Sequence, residues 1–438
     1  MRLLSITLNN YRNFTHYQID LGKKTTILIG KNGMGKTNLL SGMVQAMSFI
    51  FSKQRNTPQY EFIRSSDQGI KNFVISDSRY DYDKKDYQFP LSLSMTGILD
   101  EKGNNEIQWS LEQESNKSGL KDSRLRTAYH SFWNYYNTKD TKPVLAFFSD
   151  GFPHKDANLS SGMKEKLESG KPLPANTGYY QWDKDQSCAK IWKQYFVQQW
   201  INYKLRTDNE NQAFVDSINE KIVDFSQPLP DSSELTDGLL LKGLSAENRG
   251  ERSVLMVEFA NGYRLPFDLL PAGYYRIFSI ILDLACRSYL LNGNCNPEGI
   301  VFIDELELHL HPSIAAEILQ RLRRSFPNIQ LIVTTHSPLV ITHFNQESKD
   351  DKDFRLYQLT KDGDTYDKRR IENIYGLDYS SGLFDYMETT ENYALVAKYK
   401  ESYRYWIRHN QERADKVAEI IKKRFPNNKS LLQELKIV

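Results

Sequence analysis

From residue 3 to residue 8 apolar and polar side chains alternate, the period of a strand with one buried face. Asn9-Asn10-Tyr11-Arg12-Asn13 breaks the alternation before a second short strand near Tyr17 to Leu21, so the pattern predicts an antiparallel hairpin. Thr25-Thr26-Ile27-Leu28-Ile29 has no polar face at all, as in a strand covered on both sides. Beyond a glycine-rich stretch, Leu39, Leu40, Met43, Val44 and Met47 fall on one face of a helix. Phe73 to Ile75, Phe89 to Met95 and Ile107 to Leu111 are strand-like runs that predict a meander beside the core.

Residues 151 to 185 are rich in Gly, Pro, Lys, Ser and Asp and read as a long loop or insertion. Helical spacing returns at Ile191, Trp192, Tyr195, Phe196 and Gln199, and again from Phe214 to Phe225. Val254 to Phe259 and Tyr263 to Phe267 flank an Asn261-Gly262 turn and predict a second hairpin. A helix from about Tyr274 to Leu291 precedes two buried strands, Gly299 to Ile303 and Ile329 to Thr334, with a helix near Ser313 to Ser325 between them. From about Thr390 the chain is helical and basic. The expected division is 1–150, a lobe carrying the first buried strand and the meander; 151–250, a loop-rich and helical insertion; 251–345, the second set of core elements; and 346–438, a C-terminal helical region. The fold class is α/β, with a core split by a long insertion.

The glycine-rich stretch carries chemistry. Gly30-Lys31-Asn32-Gly33-Met34-Gly35-Lys36-Thr37 fits G-x-x-x-x-G-K-[ST] between a strand and a helix. Backbone N–H groups of such a loop form an anion nest and the helix N-terminus adds partial positive charge. Lys36 then neutralises the β- and γ-phosphates and the Thr37 hydroxyl ligates Mg²⁺, so ATP with Mg²⁺ is the expected ligand. The strand Val301-Phe302-Ile303 ends in Asp304 and Glu305, where an open α/β sheet presents its ligand crevice. Asp304 is expected to hold Mg²⁺ and Glu305 to polarise the attacking water. Thr334-Thr335-His336-Ser337-Pro338 ends the next strand and puts His336 within reach of the γ-phosphate or a backbone carbonyl. His309 and His311 have the spacing of a metal pair but no third ligand in view.

Composition narrows the class. Apolar residues at 39% and charged residues at 26% fit a globular chain, and a net charge of +2 gives no overall field for nucleic acid. Three cysteines lack metal or disulfide spacing, and no apolar run reaches the ~18 residues of a membrane span. A cytoplasmic protein without a membrane anchor is the expectation. Lys398, Lys400, Arg404, Arg408, Lys416 and Lys422 to Arg424 make the tail basic, either as a solvated face or as a grip on nucleic acid or a partner. Trp192, Tyr195, Phe196 and Trp200 read as helix packing.

In this order the three motifs resemble the ATP-binding-cassette (ABC) ATPases of the RecF and SMC group, especially the compact bacterial branch with Glu-x-His-Leu-His-Pro, here Glu307 to Pro312. The resemblance covers residues 1 to 50 and 250 to 345 well and the middle poorly. It implies an ABC-type P-loop ATPase head with antiparallel N-terminal strands, a helical insertion and a helical C-terminal tail. It places Arg12, in Asn10-Tyr11-Arg12-Asn13-Phe14, near the nucleotide. The group's signature helix opens Leu-Ser-x-Gly; Leu270-Pro271-Ala272-Gly273 stands there, with Pro271 for the serine. The resemblance implies head-to-tail dimers in which Gly273 approaches the γ-phosphate held by a second protomer, and slow hydrolysis because one phosphate hydrogen bond is lost.

Past His336 there is no acidic constellation like the Toprim nuclease of OLD-type relatives, so the chain is not expected to cut nucleic acid itself. Ile374 to Asp378 and Met387 to Thr390 resemble the end of PtuA, the ATPase subunit of Septu and related retron antiphage systems, which works with an HNH nuclease, PtuB. The ATPase subunit of the PARIS defence system is also similar. The reading is an oligomerising ATPase that regulates a separate nuclease or effector; a RecF-like DNA-repair or chromosome-handling clamp is the alternative.

Overall fold

The computed structural model describes residues 1–52, 69–100, 103, 105–121, 123–154, 160–169, 171–184, 188–206, 209–229, 240–250, 252–344, 352–372, 374–377, 386, 394–425 and 429–437. Two compact units result, Met1–Gly382 and Leu383–Val438.

The N-terminal hairpin forms as its alternation requires. β1 (Arg2–Tyr11) and β2 (Phe14–Asp20) pair antiparallel, with Leu8 opposite Tyr17. β3 (Thr25–Ile29), buried at every residue, leads into α1 (Lys36–Met47). The first run of the expected meander is not a strand. Val74 and Ile75 are exposed, and the chain turns where the Asp77 carboxylate accepts the Val74 N–H at 3.1 Å. A two-residue ladder of β4 (Tyr80–Asp81) and β5 (Asp86–Tyr87) follows, then β6 (Leu91–Ile98) and β7 (Glu106–Gln113). β6 joins β1, giving a four-stranded antiparallel sheet in the order β2-β1-β6-β7. Helix α1 packs on this sheet through Gly42, which faces Leu8, Tyr11 and Leu93.

The sequence pattern does not single out α2 (Ser123–Asn137) or β8 (Val144–Phe148). A five-residue apolar run carries no period of its own, so strand and buried helix are indistinguishable there. Next come α3 (Ser161–Glu168), α4 (Ala189–Arg206) and α5 (Asn209–Ser226). Trp192, Tyr195 and Phe196 of α4 are buried. β9 (Leu241–Arg249), also unpredicted, extends the expected hairpin of β10 (Arg252–Phe259) and β11 (Arg264–Pro266) to three strands. α6 (Ala272–Asn292), β12 (Gly299–Ile303), α7 (Pro312–Ser325), β13 (Ile329–Thr334) and the short α8 (Pro338–Thr342) complete the motif-bearing half.

The region read as helical from residue 346 begins otherwise. β14 (Phe354–Asp362) and β15 (Thr365–Ile371) form a hairpin, and β14 lies parallel to β3. Four consecutive buried residues, Leu356 to Leu359, mark β14 as an inner strand, which shows no alternation. The six-stranded sheet is therefore β15-β14-β3-β13-β12-β8, parallel except for β15. Its central pairings join residues 25–28 to 331–334, so the two halves of the split core meet in one ladder.

One buried side chain stitches the two sheets. Gln330 of β13, 1% exposed, accepts the Leu3 N–H at 2.7 Å and donates to the carbonyls of Leu3 at 2.8 Å and Gly22 at 2.7 Å.

In the second unit α9 (Ala394–His409), α10 (Gln411–Arg424) and α11 (Lys429–Glu434) enclose a small core of Val396, Tyr403, Ala414, Ile421, Leu431, Leu435 and Ile437. Several of its cations are paired locally: Lys416 with Glu412 at 2.8 Å, and Arg404 and Lys400 with Glu434 at 2.7 and 2.5 Å. Asp378 and Met387 to Thr390, part of the resemblance to defence ATPases, lie outside the described residues. Among the described residues no helix is long and apolar enough to cross a membrane.

Gln330→Leu strands three buried backbone groups, each costing about 1–3 kcal/mol. A loss of at least ~2 kcal/mol in urea unfolding is expected; an unchanged midpoint would show that the stitch is dispensable.

Candidate functional site

Strand β3 ends at Ile29 and the loop that follows turns on Gly33 and Gly35, with φ of +82° and +88°. Gly35 is the N-cap of α1 and no side chain caps the helix, which leaves its first N–H groups facing the loop. Gly35 also lets the loop lie on the N-terminal hairpin, since a Cβ there would stand 2.7 Å from the Phe14 ring. Lys36 folds back over the loop and donates to the carbonyls of Gly30 at 2.7 Å and Lys31 at 3.2 Å. Burial lowers its pKa, opposed by the charges of Asp304, Glu305 and Glu307.

Asp304 is 1% exposed, and its two oxygens are shared between distant parts of the chain. Oδ2 accepts from Thr37 Oγ1 at 2.8 Å, and Oδ1 accepts from Thr334 Oγ1 at 2.5 Å. Thr334 Oγ1 in turn accepts the Glu305 N–H at 2.8 Å. Glu305 sits in the left-handed region, φ +48°, a costly place for a non-glycine residue and one found at functional sites. Its pKa is raised, chiefly by burial and then by Asp304, Glu307 and Asp150. His336 has its pKa lowered, first by burial and then by Lys36, which favours the neutral imidazole. Asn32, Gly33, Lys36, Asp304, Glu305 and His336 border one cavity of about 250 Å³, together with Thr37.

Arg276 of α6 is a functional-site residue that motif reading misses. Fully buried, it donates through Nη2 to the carbonyls of Asp304 at 2.8 Å and Glu305 at 3.3 Å. Through Nη1 it holds the carbonyls of Ser149, at 3.0 Å, and Phe152, at the end of β8. Burial pushes its pKa down to about 10. The available signal is a lone charge in the run Tyr275 to Ile281, whose other members are apolar apart from Ser279.

Other expected residues fall elsewhere. Arg12 is held by Asp77, with an ion pair of 3.1 Å, and donates to Asn38 Oδ1 at 3.0 Å. It does not itself border the cavity, but Asn38, in the first turn of α1, does, so Arg12 stands one hydrogen bond behind the cavity wall. Gly273 is buried, whereas Pro271 and Ala272 beside it are exposed. A Cβ on Gly273 would lie 2.5 Å from the His309 carbonyl oxygen, so contact within the chain already demands glycine there. Pro271 is the N-cap of α6, without a side-chain cap. His311 is the N-cap of α7, its Nδ1 accepting the Ser313 N–H at 3.4 Å, and His309 is exposed. Among the described residues no three His, Cys, Asp or Glu side chains are grouped to hold a metal.

A hydroxyl and a carboxylate nevertheless suit Mg²⁺, which takes one or two protein oxygens and completes its shell with water and phosphate. Thr37 and Asp304, already 2.8 Å apart beside an anion nest, fit that ion.

Gly273→Ala tests the packing directly. With no nucleotide present it is expected to lower stability by about 1–3 kcal/mol, because backbone must shift to admit the methyl. An unchanged melting temperature would return Gly273 to a purely ligand-facing role.

Residues 1–341 match the AAA ATPase domain family. The retron Vc95 probable ATPase of Vibrio cholerae serotype O1 biovar El Tor is 26% identical over an alignment covering 96% of this chain and 86% of that protein. The retron Ec83 probable ATPase of Escherichia coli is 27% identical over 78% of this chain and 69% of that protein. Septu protein PtuA of Bacillus mycoides (strain KBAB4) is 44% identical over a shorter stretch, 18% of this chain and 11% of PtuA. The family match spans most of the chain and includes all three motif-bearing strand ends: this protein belongs to the AAA ATPase domain family.

Proposed function

We propose that the protein binds ATP with Mg²⁺, hydrolyses it slowly in the cytoplasm, and oligomerises through its nucleotide sites to control a separate nuclease or other effector in antiphage defence. The observation that carries the nucleotide chemistry is the convergence of Lys36, Thr37, Asp304, Glu305 and His336 on one cavity. The defence role is supported by similarity to retron ATPases along most of the chain.

In this reading the loop N–H groups and Lys36 hold the β- and γ-phosphates. Thr37 and Asp304 hold Mg²⁺, which supplies charge neutralisation at the transferred phosphoryl group. Glu305, whose pKa is raised mainly by burial, orients the attacking water and takes its proton. Neutral His336 donates toward the γ-phosphate. The partner protomer offers the start of its α6, where Leu269, Pro271 and Ala272 are exposed. The effector is a protein of the HNH nuclease kind that PtuB exemplifies.

Pro271 has no hydroxyl for the partner's phosphate, a loss of about 1.5–3 kcal/mol for a charge-assisted bond. Pro271→Ser is therefore expected to raise kcat by roughly one to two orders of magnitude. A wild-type turnover in the usual enzyme range, with no gain from the serine, would end the slow-hydrolysis reading.

Glu305→Gln should trap a nucleotide-bound oligomer, seen by mass photometry as a shift in assembly when ATP is added. No ATP-dependent shift would count against assembly through the site. Lys36→Ala should lose nucleotide binding by calorimetry and, in a phage challenge, protection; full protection by that variant would remove the site from the defence role.

A further inference from the structure

The nucleotide cavity is bordered by Asp304 and Glu305, but the loop beyond them holds a third carboxylate that the cavity does not include. Glu307 stands behind His336. Its Oε1 accepts the His336 backbone N–H at 2.6 Å and its Oε2 accepts the Thr335 hydroxyl at 2.6 Å. Thr335 Oγ1 also accepts the Ser337 N–H at 3.0 Å, so one carboxylate organises the whole turn that carries the imidazole.

The acidic loop is built to hold Glu307 there. Leu306 is buried, and its N–H bonds to the Thr334 carbonyl at 3.0 Å. Successive turns then close from Leu308 N–H to Glu305 O at 3.0 Å and from Leu310 N–H to Glu307 O at 2.9 Å. Asp304 fixes Thr334, at the end of β13, and Glu307 fixes the next two residues. The end of the His336 strand is thus docked residue by residue onto the loop that carries the catalytic acids.

We propose that Glu307 is a positioning residue for hydrolysis: its carboxylate sets where the His336 imidazole stands relative to the γ-phosphate, without itself touching nucleotide. This rests on the ATPase reading above. Glutamine is a poor replacement: it keeps an acceptor oxygen for the His336 N–H, but it loses the charge and reverses the second bond, with its NH₂ donating to the Thr335 hydroxyl. The charge of Glu307 also opposes the lowering of the Lys36 and His336 pKa values, in keeping with a location just outside the cavity wall.

The test is a double-mutant cycle on the full chain, read by single-turnover ATP hydrolysis and by the Kd of a fluorescent ATP analogue. Glu307→Gln and His336→Ala should each slow hydrolysis about tenfold or more while Kd stays within about threefold. The double variant should be no slower than His336→Ala alone, because Glu307 acts through that histidine. Rates that fall by the product of the single effects, an unchanged rate in Glu307→Gln, or a Kd that weakens in step with the rate would each overturn the proposal. If Glu307→Gln melts early, Thr335→Val removes one of the two bonds and leaves the carboxylate in place. Its slowing should likewise vanish on a His336→Ala background, and additivity there would refute the role. Lys36→Ala and Glu305→Gln run alongside: full hydrolysis by both would bring down the ATPase reading itself, a result distinct from additivity in the cycle.

Discussion

The site depends on one buried carboxylate. Asp304 sits at the end of β12, accepts the hydroxyl of Thr37 from the first turn of α1, and accepts the hydroxyl of Thr334 from the end of β13. Hydrogen bonds to a charged acceptor contribute about 1.5–3 kcal/mol each. Those two bonds hold the ends of β12 and β13 against the start of α1, which lies 267 residues from Asp304 in sequence, and the remaining features are arranged around them. Because β13 lies between β3 and β12, the threonine that completes the bridge also fixes where His336 emerges.

Around that bridge the protein manages charge by burial and enclosure. Lys36, Glu305 and His336 all have their pKa values moved chiefly by desolvation, each toward its neutral form. Arg276 offers a different kind of control. A buried guanidinium whose donors go to main-chain carbonyls ties helix α6 to the ends of β12 and β8 at once. Movement of α6 is therefore coupled by direct hydrogen bonds to the backbone of Asp304 and Glu305. Gly273, packed under the His309 carbonyl at the start of the same helix, closes the second contact between α6 and the acidic loop.

Legibility in the sequence follows the physics of each element. The phosphate loop was readable because glycines, a lysine and a threonine must occur at fixed spacing for a backbone nest to form. β12 and β13 were readable because strands covered on both faces are mostly apolar runs, interrupted inside β13 by Gln330, and both end in chemistry. β8, equally apolar, ends in Ser149 and Asp150 without a motif and was not readable. β14 was hidden for a related reason: its inner residues include Gln358, buried at 2%, within a region whose charged ends resemble a helical tail.

What the sequence by itself determined is the chemical inventory: a P-loop, two acids at a strand end, a histidine at the next, and the strand and helix periods that put them at carboxyl ends. Those are local properties, set by backbone geometry and side-chain type within a few residues. The tertiary structure alone decided the partners. It packed Gly273 against the His309 carbonyl, gave Arg12 to Asp77 and Asn38, made His311 a helix cap, and brought Arg276 and Glu307 behind the site. Each of those assignments depends on which strands lie side by side, and that order is fixed by burial of the whole sheet, where no short stretch of sequence holds the information.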